Sequence, residues 1–155
     1  SPPEEKPKLS ASSSTDGGPP KLYLICDTRD EAEVEALEDY LFDQGLDVSL
    51  PAFDGEDADA AVLHQENLTS CDAALVYYGA APKAWVDIKL RELLKAAGYG
   101  REQPIRVQAV YVAPPDDRRK QRFRSHQATV IRHSDRFAAN AELEQFVSNV
   151  KEVCA

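Results

Sequence analysis

Charged side chains gather directly after the first predicted strand, in the sequence CDTRDE. Carboxylates at such a position can bind the hydroxyl groups of a ribose or a basic patch on a partner protein, which makes Asp27, Arg29 and Asp30 candidates for a ligand or partner rim. Asp30 has a second interpretation, because an Asp that precedes a helix commonly caps its first turn. Phe53 and Asp54, at the end of the second predicted strand, could likewise contact a partner or form an ordinary acidic turn.

A second group of candidates lies at the end of the third predicted strand and in the helix that follows it. Tyr78 ends the strand. Trp85, Lys89 and Glu92 fall within about 60° of one another on a helix that turns ~100° per residue. Glu92 could be a functional carboxylate on the same helix face as Trp85. Alternatively, Lys89 and Glu92 form a solvated i, i+3 ion pair worth ~0.2–0.5 kcal/mol, and Trp85 is either a ligand platform or a packing anchor.

Five cations stand within seven residues of the later sequence, beside the aromatic Phe123. This basic patch follows the fourth predicted strand, which places it at the same edge of the sheet as the other candidates. It could dock a phosphate-bearing ligand, an acidic partner or RNA, or it could be a solvated face that balances the acidic excess of the chain. The five cations are Arg118, Arg119, Lys120, Arg122 and Arg124.

The net charge of -9 over 155 residues is unevenly distributed. Residues 21–100 hold 6 basic and 17 acidic side chains, a net charge of -11, whereas residues 101–155 hold 10 and 7, a net charge of +3. An acidic excess argues against nucleic acid as the main partner, because affinity for phosphates comes largely from Lys and Arg. The pattern favours self-association through an acidic and a basic surface that meet on different copies of the chain.

Short apolar runs alternate with helical periodicity from Lys21 onward. The strand candidates are continuously apolar, as strands covered on both faces are. Five such strands alternating with helices predict a three-layer α/β domain. Its parallel sheet has the flavodoxin-like order 2-1-3-4-5 and carries helices on both faces. Pro51 limits the second strand to an edge, which this order provides. The predicted strands are 22–26, 47–53, 73–78, 107–113 and 128–132, and the clearest helix covers 83–97.

Residues 1–20 hold five of the ten prolines of the chain, together with a Ser-Ser-Ser run and a Gly-Gly pair. Such a segment buries too little apolar surface to offset the entropy of ordering it, so we predict a disordered linker there and a folded domain at 21–155. The sequence contains no Met, which favours a segment of a longer protein with another domain upstream. No apolar run approaches the ~20 residues that a membrane span needs.

Several nucleotide and metal sites are excluded by residue type. The chain has no Gly-rich dinucleotide or phosphate loop after a strand and no Gly-x-Ser-x-Gly nucleophile motif. The three histidines lack the spacing of metal ligands, and so do Cys26, Cys71 and Cys154, which we expect to be inert thiols in a cytosolic protein. We therefore predict no metal site and no required cofactor.

The run from Leu63 to Leu93 carries a resemblance to a known family. In it a strand beginning Cys-Asp leads to Tyr-Tyr-Gly, and a short loop opens a helix with Trp. This run resembles the central segment of TIR (Toll/interleukin-1 receptor) domains of the prokaryotic type. LYLICDTRDE resembles the first strand of that family and the polar loop after it, and residues 45–55 resemble its second strand and BB loop. The similarity covers about Lys21 to Ala97.

The TIR resemblance implies a signalling domain of a larger, bacterial, cytosolic protein that associates with itself or with other domains. In catalytic TIR domains, a Glu four residues after the Trp is central to cleaving the nicotinamide–ribose bond of NAD. Lys89 holds that position here, which implies a domain that has lost this chemistry. One alternative is an NAD glycohydrolase effector of a defence system, with NAD as substrate and Glu92 as a displaced carboxylate. Another is a related nucleoside-transferring fold, which also uses a carboxylate at this rim.

Overall fold

The computed structural model describes residues 18–53, 57–133 and 140–154. Its five strands are β1 (Lys21–Ile25), β2 (Asp47–Ser49), β3 (Ala73–Tyr78), β4 (Val107–Val112) and β5 (Thr129–Arg132). They form one sheet of order β2-β1-β3-β4-β5 in which all neighbouring pairs are parallel. The predicted flavodoxin-like α/β architecture is therefore confirmed. All but the last three residues of the predicted linker lie outside the described residues.

The central strands of the sheet are covered on both faces. The last four residues of β1 and all six residues of β3 are buried, and β3 lies in register between β1 and β4. Burial on both faces explains why these segments are continuously apolar instead of alternating. The strand β2 is shorter than predicted: it ends at Ser49, before Pro51, which has no backbone N–H to donate to a neighbouring strand.

The helices divide between the two faces of the sheet. They are α1 (Glu35–Asp43), α2 (Asp57–Ser70), α3 (Lys83–Leu94), α4 (Arg118–Gln121) and α5 (Ala141–Val153). Leu37 of α1 and Phe146 of α5 belong to the core cluster on one face, whereas Leu68 of α2 and Val86 of α3 belong to the cluster on the other. The predicted helix at 83–97 continues past α3 as a 3₁₀ turn that ends at Gly100.

The three cysteines are free thiols. Burial raises the pKa of Cys26 to about 12 and that of Cys71 to about 11, so both thiolates are scarce at neutral pH. Cys154 is partly exposed, and its pKa is also raised, mainly by burial. Within the described part of the chain, no helix has both the length and the apolar character that crossing a membrane requires.

Candidate functional site

Asp27 organises the loop after β1. Its carboxylate accepts hydrogen bonds from the backbone N–H of Arg29 at 3.1 Å and from Arg29 Nε at 2.7 Å, and it thereby caps a 3₁₀ turn at Thr28–Asp30. Partial burial acts to raise the pKa of Asp27, but the bonds from Arg29 and the nearby charge of Lys89 outweigh it and lower the pKa overall. Asp27 is therefore an anion with Lys89 close to it.

Asp30 connects the loop after β1 to the loop after β3. The side chain is buried, and both of its carboxylate oxygens accept a hydrogen bond from the backbone N–H of Ala80, at 2.9 and 3.1 Å. The expected capping role of Asp30 is wrong, because α1 begins after Val34 with no side-chain cap. Gly79 fits this close approach of the two loops, since a Cβ there would lie 2.5 Å from Asp30 Oδ1.

Lys120 differs from the other cations of the basic patch because it is buried. Its Nζ donates to the backbone oxygen of Ala113 at 2.7 Å and lies 5.2 Å from the centre of the Tyr78 ring. Tyr78 in turn packs edge-on against Phe123. Burial lowers the pKa of Lys120 and raises that of Tyr78. Lys120 and Tyr78 therefore fasten the basic segment to the carboxyl ends of β3 and β4.

The remaining four cations of the patch are exposed on a fixed backbone. Asp117 caps α4 by accepting a hydrogen bond from the backbone N–H of Lys120 at 2.8 Å. The guanidinium of Arg132 donates to the backbone oxygens of Lys120 and Phe123 at 2.8 and 2.9 Å. We call the four exposed cations the basic surface: Arg118, Arg119, Arg122 and Arg124.

An acidic surface lies on the opposite face of the sheet. It consists of exposed carboxylates in α1 and in the turn before it, and α1 packs on the core cluster that it shares with α5. The basic surface lies beside the core cluster of the other face, because Phe123 of the same segment packs there with residues of α2 and α3. Phe42, which is also in α1, is 69% exposed and lies among these carboxylates in the sequence. The acidic surface comprises Glu31, Glu33, Glu35, Asp39 and Asp43.

The predicted ion pair of α3 is present. Lys89 Nζ lies 3.3 Å from Glu92 Oε1, and the same ammonium lies 5.6 Å from the centre of the partly buried Trp85 ring. Trp85 packs against the core cluster of this face and keeps part of its surface exposed. It is therefore both a packing residue and a neighbour of the polar groups of α3.

His64 of α2 completes a polar cluster that the sequence did not reveal. Its Nε2 lies 2.7 Å from Glu92 Oε1, and its Nδ1 lies 2.6 Å from the hydroxyl of Tyr23 in β1. Lys89 and His64 both use Oε1, so Oε2 of Glu92 has no partner among the described residues. One signal was available: His64 precedes the buried Leu68 by four residues, which places it on the inward face of α2.

His64, Lys89 and Glu92 form one partly buried polar strip between α2 and α3, and Asp27, in the loop after β1, is close enough to Lys89 for that charge to help lower its pKa. The exposed fraction of the side chain is 20% for Asp27, 24% for His64, 22% for Lys89 and 28% for Glu92. Such partial burial strengthens interactions with a ligand's charges and hydroxyls without closing the site to it. We call this group, with Trp85, the α2–α3 strip.

The two remaining candidates from the sequence are Phe53 and Asp54. Phe53 is partly buried and packs against the core cluster of the α1 face, and Asp54 lies outside the described residues. Among residues 18–53, 57–133 and 140–154, no group of three or more His, Cys, Asp or Glu side chains could hold a metal ion. The chain matches no protein-family model, and no curated protein matches it. Inferences about its function therefore rest on the geometry.

Proposed function

We propose that this chain is a TIR-like assembly domain that works in the cytosol as part of a larger protein. Its main activity is association with other copies of itself or with related domains, and NAD chemistry is lost. The observation that carries the proposal is the position of the acidic and basic surfaces on opposite faces of one sheet. Oppositely charged surfaces on two faces of a molecule can pair with those of another copy.

The opposite placement also favours a particular geometry of association. When the basic surface of one copy meets the acidic surface of the next, each copy keeps one unused surface: the acidic surface on the first copy and the basic surface on the next. Such a head-to-tail contact propagates into a chain of molecules instead of closing into a dimer. The exposed aromatic ring of Phe42 gives an arginine of the next copy a face to stack on.

Lys89 is consistent with the loss of NAD chemistry. A cation at this position repels the positive charge that develops on the ribose when the nicotinamide bond breaks. Lys89 is also held in place, by Glu92 at 3.3 Å and by the ring of Trp85 at 5.6 Å. The ammonium is therefore a fixed part of the α2–α3 strip, which argues against its moving aside for a ribose.

Sedimentation velocity at two salt concentrations tests the proposal. Near 0.05 M NaCl the wild-type protein should form concentration-dependent oligomers, and near 1 M, where the screening length falls to ~3 Å, these should dissociate. Arg122→Glu should weaken assembly at low salt. Arg106→Glu, an exposed reversal of equal charge at the amino end of β4, is the matched control and should leave assembly unchanged. A monomer at both salt concentrations would contradict the proposal.

One observation favours a second candidate function, NAD cleavage with Glu92 as the carboxylate. Glu92 is oriented through Oε1 by two partners, and its Oε2 has none among the described residues, so it could accept a hydrogen bond from a ribose hydroxyl. Asp27 and Trp85 lie in the same strip. The test is NAD turnover by concentrated protein, comparing the wild type with Glu92→Ala and Lys89→Glu. A wild type that is inactive under every assembly condition would exclude this candidate function. Activity in Lys89→Glu alone would indicate a domain that has lost NAD cleavage through the Lys at position 89.

A further inference from the structure

Side chains from three elements form a continuous hydrogen-bonded chain across the α2 face of the sheet. Tyr23 of β1 contacts His64 Nδ1 at 2.6 Å, and His64 Nε2 contacts Glu92 Oε1 of α3 at 2.7 Å. A carboxylate can only accept a hydrogen bond, so Nε2 must carry the proton. In a neutral ring Nδ1 is then the acceptor, and the Tyr23 hydroxyl is the donor.

The surroundings of Tyr23 favour this direction of donation. Tyr23 is fully buried, and burial is the main cause that raises the pKa of its hydroxyl, so the hydroxyl keeps its proton. Asn67, on the next turn of α2, lies beside the same hydroxyl and acts to lower its pKa, but its buried Nδ2 has no partner at hydrogen-bonding distance and angle in the described structure. His64 Nδ1, 2.6 Å from the Tyr23 hydroxyl, is the hydrogen-bond partner of that hydroxyl in the described structure.

The polar and charged groups around His64 come from α3, from β1 and from α2 itself. Glu92 and Lys89 face it from α3, Tyr23 faces it from β1, and Asn67 follows it on α2. Lys89 already supplies a full positive charge to Glu92 Oε1. A neutral imidazole is therefore sufficient to complete the hydrogen bonding of that oxygen.

We infer that His64 is a positioning residue for Glu92. Glu92 Oε1 and the Tyr23 hydroxyl together select the Nε2–H tautomer, and the imidazole holds Oε1, so that Oε2 is the oxygen available to a ligand hydroxyl or cation. The inference rests on the second candidate function for the ligand's identity, but its test does not. A purely structural tie between α2 and α3 would use the same tautomer, so the tautomer tests the hydrogen-bonded chain and the kinetics of His64 variants test the positioning role.

Nitrogen-15 NMR of the histidine rings is the direct test. The His64 ring of the wild-type protein should be in the Nε2–H tautomer alone, whereas the exposed ring of His126 should be a tautomer mixture and serves as the internal reference. Glu92→Ala, checked for folding by circular dichroism, removes the carboxylate acceptor and should return the His64 ring toward a mixture. A tautomer mixture at His64 in the wild type, or a ring unchanged in Glu92→Ala, would overturn the inference.

A rescue experiment separates positioning from packing. His64→Ala should lower kcat for NAD cleavage on the order of 100-fold, as a misplacement of ~1 Å can, with KM changed less than twofold. His64→Gln, whose amide N–H can still donate to Glu92, should recover most of the loss. Full activity in His64→Ala would overturn the positioning role. A wild type that cleaves no NAD would end the NAD candidate, and a single His64 tautomer would then still support the contact by which the imidazole holds Oε1.

Discussion

Removing the carboxylate of Asp30 should separate the loop after β1 from the loop after β3. In the folded protein this buried side chain places both oxygens on the backbone N–H of Ala80, at 2.9 and 3.1 Å. Hydrogen bonds to charged groups contribute ~1.5–3 kcal/mol, and an unmade bond costs about as much. Because the two oxygens share one N–H, we expect Asp30→Ala to lower the free energy of unfolding by about 2 kcal/mol. Asp30→Asn keeps one oxygen acceptor and should lose about 1 kcal/mol.

Urea denaturation followed by the fluorescence of Trp85 and by circular dichroism measures this loss. Asp39→Ala removes a carboxylate from the exposed face of α1 and is the matched control, with an expected change within ~0.5 kcal/mol. The reasoning is refuted if Asp30→Ala costs no more than the control, because water would then be replacing the carboxylate and the two loops would not depend on it.

Two further predictions concern packing and thiol reactivity. Gly79→Ala should lower the free energy of unfolding by about 1–3 kcal/mol, since the new Cβ would lie 2.5 Å from Asp30 Oδ1. Gly98→Ala, where a Cβ would have nothing within 4 Å, should lower it far less. Equal losses for the two variants in urea denaturation would contradict the crowding at Gly79. At pH 8 iodoacetamide should label Cys154 well before Cys26, because a thiol with a pKa of about 12 holds about one thiolate in 10⁴ at that pH. Mass spectrometry of the labelled peptides follows this, and simultaneous labelling of the two cysteines would show that the thiol of Cys26 is not shielded.

The fold could be predicted because its signals are local. Continuously apolar runs separated by helical periodicity are visible in any window of the sequence, and a proline near the second strand indicated an edge. The pair of Lys89 and Glu92 was predictable for the same reason, since helix geometry alone brings residues three apart together.

The rest of the candidate site depends on contacts between distant parts of the chain. His64 meets Tyr23 across 41 positions and Glu92 across 28, and Asp30 meets Ala80 across 50. No periodicity encodes such pairs. The burial of Lys120 could not be predicted for the same reason. A lysine among arginines in the sequence indicates a solvated surface, and only the fold brings its ammonium to the backbone oxygen of Ala113.

Mixing two blocked variants tests the assembly function most directly. Glu35→Lys with Asp39→Lys reverses the acidic surface, and Arg118→Glu with Arg122→Glu reverses the basic surface. Each variant should sediment as a monomer at low salt, because each lacks one half of the contact. The mixture should form oligomers again, since the intact basic surface of one variant meets the intact acidic surface of the other, and the two reversed surfaces, one now cationic and one now anionic, complement each other as well. A mixture that stays monomeric, or a single variant that still forms oligomers, would contradict head-to-tail association through these surfaces.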